Sequence, residues 1–140
     1  MEKRILMGSV AALAVMLGFE WLLIATGRPL DVPIDAGFGP IPLAGLLVTA
    51  AAMALGGRIA TQGFRIFAVL LALLVALSGA VSVQLSSALS HVPEPFSLGE
   101  ILRYNGAATA ASMLAAWLGA ALGEWAARRA ARPPLSAPGA

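Results

Sequence analysis

FRIFAVLLALLVALSGAVSVQLSSAL, residues Phe64–Leu89, carries no charge after Arg65 and no proline. A helix needs ~20 predominantly apolar residues to cross a hydrocarbon core. This stretch exceeds that length without a break, so it is expected to span a membrane. Three further stretches share its character: Ile5–Thr26, Ile41–Gly57 and Gly106–Ala127. The expected fold is therefore an all-α integral membrane protein, an up-down bundle of four transmembrane helices forming one domain over residues 1–131.

Composition agrees with that class. Hydrophobic residues make up 59% of the 140-residue chain and charged residues 11%, against about 25% charged in soluble domains. In water such a chain would expose large apolar patches. There are no cysteines, which removes disulfides, iron–sulfur clusters and thiol chemistry. A single histidine, His91, cannot supply both axial ligands of a haem within one chain. No cofactor and no metal site are expected.

Charge placement sets an orientation. Lys3, Arg4, Arg58, Arg65, Arg128, Arg129 and Arg132 fall on one side of four alternating spans; Arg28 and Arg103 fall on the other. The positive-inside rule then puts both termini in the cytosol and the two longer loops outside, in a bacterial inner membrane. The basic residues sit at helix ends, so the basic balance points to membrane topology and not to nucleic acid. The first stretch lacks an Ala-x-Ala site at its Ala25-Thr26-Gly27-Arg28 end and is expected to be retained rather than cleaved.

The connectors have their own signals. Arg28–Pro40, with three prolines, reads as an irregular loop. Pro42 suits the first turn of the second helix, and Gly56-Gly57 suits its C-terminal cap. The short loop Arg58–Gly63 makes helices two and three expected antiparallel neighbours. Ser97-Leu98-Gly99-Glu100 has the spacing of a capping box. A helix running unbroken from Leu98 to Arg129 would be ~48 Å long, well beyond the ~30 Å core. A bend near Asn105-Gly106 is therefore expected, with a short interfacial helix before the fourth span. Residues 132–140 read as a disordered cytoplasmic tail.

Two features point beyond the fold. The fourth span carries Ala107, Ala111, Ala115, Gly119 and Gly123 at four-residue spacing. In lipid, helices associate where small residues let backbones approach. Helices three and four are thus expected to pack closely, on each other, on other membrane subunits or on a second copy of the chain. The other feature is Glu20, an acid in the outer half of the first span. An intramembrane acid is costly and marks a site by default. Ser82, Gln84 and Ser86 on helix three and Asn105 and Thr109 on helix four are its expected companions, with His91, Asp31 and Asp35 above. Glu20 has three readings: a proton or cation site, a buried structural acid, or an interfacial residue reaching water beside Trp21. Glu124 reads as an anchor paired with Arg128 one turn later.

The expected function is a non-catalytic accessory or structural subunit of a larger membrane complex. The alternative is a homo-oligomeric small transporter or channel coupled to protons or cations through Glu20.

Overall fold

A computed structural model describes residues 2–27, 33–35, 40–89 and 97–131. The expected tail, His91 and Asp31 lie outside the described residues. The described chain is helical apart from one small hairpin: α1 (Glu2–Thr26), β1 (Pro33–Asp35), β2 (Pro40–Pro42), α2 (Leu43–Ala60), α3 (Phe64–Leu89), α4 (Leu98–Tyr104) and α5 (Gly106–Ala130). Four helices, α1, α2, α3 and α5, are long and apolar enough to cross a membrane. The shortest of them, α2, has 18 residues and is ~27 Å long at 1.5 Å per residue.

The first connector is more regular than expected. β1 and β2 pair antiparallel, with Pro33 opposite Pro42 and Ile34 opposite Ile41. Strand pairing takes up Ile41 and Pro42, so α2 begins two residues later than the apolar run, and Pro42 sits at its N-cap instead of in its first turn. At the other end of α1, Gly27 adopts φ +58° and its N–H bonds the Ile24 carbonyl at 3.3 Å, a left-handed stop that glycine reaches without a Cβ clash.

Gly56-Gly57 does not end α2. The helix runs on to Ala60, and Thr61 donates its N–H to the Gly57 carbonyl at 2.9 Å. Both glycines are instead points of backbone contact. A Cβ on Gly56 would lie 2.6 Å from the Phe64 ring and 2.9 Å from the Gly8 carbonyl oxygen; one on Gly57 would lie 2.5 Å from that of Ala120.

These contacts set the neighbours. α2 packs most extensively on α5, then on α1, while α3 packs mainly on α5. α2 and α3 do touch, with the Phe64 ring against Gly56, but less than either packs on α5; a three-residue loop fixes the chain's path but not which helix offers the better-fitting face. The α5 face at Gly119 and Gly123 is filled by α2: a Cβ on Gly119 would overlap the Ala50 carbonyl, and one on Gly123 the Ala54 carbonyl. Ala107, Ala111 and Ala115 continue that row and are half-buried. The adjacent α5 positions Ala116 and Ala120 join Ala68 and Ala72 of α3 and Ala52, Met53 and Ala60 of α2 in the core, which is otherwise closed by Ala12 and Phe64. A core built of alanine brings backbones near enough for dispersion and weak backbone contacts to act, the cohesion available where lipid removes any hydrophobic gain. Large apolar side chains point outward instead, among them Leu17, Trp21, Ile24, Leu47, Ile66, Leu74, Leu85 and Leu122.

The capping box and the bend both form. Ser97 Oγ accepts from the Glu100 N–H at 3.3 Å, and Glu100 Oε2 accepts from the Ser97 N–H at 2.9 Å and its hydroxyl at 2.7 Å. Asn105 then separates α4 from α5. The Ser97 hydrogen bonds lower the Glu100 pKa from its ordinary 4.5. A lowered carboxyl pKa supports the folded state fully above the unfolded value, and the support is lost as pH falls through the folded one. Amide exchange of α4 is therefore expected to be slow and pH-independent in its opening equilibrium at neutral pH. Below about pH 4.5 the protection should fall, and Ser97→Ala, which removes the hydroxyl donor but keeps the backbone N–H donor, should reduce that acid-side change.

Candidate functional site

Glu20 lies on the exposed side of α1 and lines a cavity of about 170 Å³. Its polar companions there are Thr49 of α2 and Ser112 of α5; Met16, Ala72 and Val75 are among the apolar walls. Asn105 and Thr109 line a second cavity, of about 290 Å³, with Ala76, Gly79, Val83 and Ile101. The two cavities share Ala76 and Ser112. Ser82 and Ser86 are exposed, and with Gln84 they line neither cavity. The expected grouping of Glu20 with Ser82, Gln84, Ser86, Asn105 and Thr109 is thus not assembled. Its physical reason is the helix pairing: α1 rests on α2 and touches α3 little, so Thr49 shares the cavity with the acid where the serines of α3 were expected.

The polar groups of α3 and α4 are largely turned on their own backbone. The Ser78 hydroxyl donates to the Val75 carbonyl, that of Ser82 to Ser78 and that of Ser87 to Gln84, each at 2.8 Å. Asn105 Nδ2 donates to the Ile101 carbonyl at 2.9 Å. Such back-bonding satisfies a hydroxyl in an apolar medium without any second helix.

The acid that the bundle buries is Glu124, 3% exposed. α3 starts after Gly63, which has no side chain to cap it, and the first N–H groups of a helix have no partner within the helix. Glu124 Oε1 accepts the Phe64 N–H at 2.7 Å. Glu124 Oε2 accepts from Arg65 Nε at 3.2 Å and lies 3.7 Å from Arg128 Nη1. A carboxylate from α5 therefore caps α3, where the helix dipole also favours negative charge. The Arg65 guanidinium in turn lies 5.7 Å from the centroid of the Trp117 ring. The Arg128 pairing was legible from the four-residue spacing. The capping of α3 was not, although a helix opening on Gln62-Gly63-Phe64 without a Ser, Thr, Asp or Asn cap signals a missing partner.

Among the described residues no group of three or more His, Cys, Asp or Glu side chains is placed to hold a metal ion. No protein-family model, curated protein or solved structure matches the chain. The fold defines its class: a helical protein with four helices suited to crossing a membrane.

Proposed function

We propose that the chain is a small polytopic protein of a bacterial inner membrane, with both termini cytoplasmic, acting as a non-catalytic accessory or structural subunit of a larger membrane complex. The observation that carries this reading is the outer half of α3. Ser78, Gly79, Ser82 and Ser86 are exposed there, the serines at four-residue spacing. A Cβ on Gly79 would meet nothing within 4 Å. The corresponding small face of α5 is taken by α2, whereas this stripe is open. Small side chains in such a row let another helix come close in lipid. The Ser78 and Ser82 hydroxyls are satisfied within α3, so the stripe suits packing rather than a polar site.

Orientation rests on the basic residues and their packing. Gly8 meets Gly56 and Ala60, Gly123 meets Arg58, and Glu124 meets Phe64. These contacts favour one common end for Lys3, Arg4, Arg58, Arg65, Arg128 and Arg129, which the positive-inside rule assigns to the cytosol.

Because the chain has no cysteine, one introduced thiol reports on one position. Ser82→Cys, labelled with a thiol-linked photo-crosslinker in native membranes, is expected to yield a reproducible adduct with one other polypeptide. Leu114→Cys, exposed on α5, should yield far less. Adducts with lipid alone at Ser82 would end this reading.

The second reading, a homo-oligomeric transporter or channel, is favoured by the Glu20 cavity. Glu20→Gln separates the two. An accessory subunit keeps its fold and its crosslink; a transporter loses proton- or cation-linked flux in proteoliposomes.

A further inference from the structure

We infer that a groove between α2 and α5 is a binding site for an anionic phospholipid, with one acyl chain along the groove and the phosphate held between Arg58 and Arg129. The groove is shallow and open, with a volume of about 460 Å³, and is lined by Ala54, Leu55, Leu122, Trp125 and Ala126, with Arg58 as its one charged wall. Its floor is the backbone contact at Gly123. Arg129 stands over Trp125, its guanidinium carbon 5.2 Å from the ring centroid. One guanidinium thus lines the groove and a second lies on the ring of its Trp125 wall.

Charge bookkeeping at this end of the bundle selects the occupant. Arg65 and Arg128 share the Glu124 carboxylate. Arg58 and Arg129 are exposed and have no acidic partner among the described residues. Glu124 itself reaches toward Phe64 and Arg65 on α3, away from the groove. Two unneutralised guanidiniums present planar forks that match phosphate oxygens. An acidic peptide would satisfy the arginines and leave the apolar channel to lipid tails; a phospholipid satisfies both. Basic pockets between membrane helices take anionic headgroups for this reason. A zwitterionic lipid offers the same tail but cancels its phosphate with its own cation.

The test is native mass spectrometry of the purified chain in mixed micelles. These would contain equal phosphatidylglycerol and phosphatidylcholine of matched acyl chains. Phosphatidylglycerol is expected to be retained in preference, the more so at low salt. Each of Arg58→Gln and Arg129→Gln should lower that preference about fivefold, and the pair about 25-fold, from ~1 kcal/mol per basic residue near an anionic surface. Arg103→Gln, on α4, should change nothing. All three positions are exposed, so folding is not at stake. Equal retention of the two lipids by the unmodified chain would overturn the proposal. So would a double variant whose preference is intact, or one matched by Arg103→Gln. Quenching of Trp125 fluorescence by brominated phosphatidylglycerol, above that by brominated phosphatidylcholine, is the independent check.

Discussion

Gly123→Leu is expected to separate α2 from α5 and to be the most damaging single substitution in the chain. A Cβ at this position would overlap the Ala54 carbonyl oxygen and stand 2.8 Å from the Arg58 nitrogen. Both obstacles are backbone, so no side-chain rotation relieves them. Overpacking a close-fitted core costs about 1–3 kcal/mol and occasionally more. Leucine here belongs at the upper end, because the whole interface must part before the side chain fits. Gly123→Ala should cost about 1–3 kcal/mol by the same principle. Gly18→Ala is the matched control: a Cβ there meets nothing within 4 Å, so a change within about 0.5 kcal/mol is expected. Reversible unfolding in mixed micelles, followed by circular dichroism against denaturing detergent fraction, measures all three. Equal stability of Gly123→Leu and Gly18→Ala would mean that the α2–α5 contact does not hold the bundle.

The second large effect is expected at Glu124. Glu124→Leu removes the acceptor of the Phe64 N–H and leaves that buried donor without a partner. An unsatisfied buried group costs about 1–3 kcal/mol, and a hydrogen bond to a charged group contributes about 1.5–3 kcal/mol. These overlap rather than add, so about 3 kcal/mol is expected. The ion pair contributes little beyond this. The Arg65 side chain is 38% exposed and that of Arg128 46%, so solvent screens both arginines even though the carboxylate they share is buried. Glu124→Gln keeps an oxygen for the Phe64 N–H and should lose only about 1 kcal/mol. Losses of equal size in the two variants would show that charge, and not the cap, matters. Amide exchange at the first turn of α3 provides the local readout: fast in the leucine variant, near normal in the glutamine one.

Two locally written elements were legible. α3 runs from Phe64 to Leu89 as its unbroken apolar stretch indicates, and the Ser97–Glu100 box starts α4 where its spacing places it. Both depend on residues within one or two helical turns. Tertiary choices were less legible. Gly56-Gly57 suits a helix end and a helix contact equally well, and only the fit of Gly8, Phe64 and Ala120 around it decides. The small face of α5 announced close packing without naming α2 as its occupant, because alanine and glycine rows on α2, α3 and α5 are nearly interchangeable in sequence. The surroundings of the two acids were not legible for the same reason. Glu20, nearer the middle of its apolar run, lines an open cavity, while Glu124, near a helix end with an arginine one turn away, is buried by the unpaired start of another helix. Depth in a span does not reveal which backbone group lies opposite.

The membrane arrangement is tested most directly by thiol labelling in intact cells, with a membrane-impermeant maleimide and two single-cysteine variants. Gln62→Cys lies between α2 and α3, and Gly99→Cys lies on α4; both positions are exposed. Gly99→Cys is expected to label in intact cells and Gln62→Cys only after lysis, since one span separates them. Labelling of both before lysis, or of neither, would contradict a chain whose α3 crosses the bilayer.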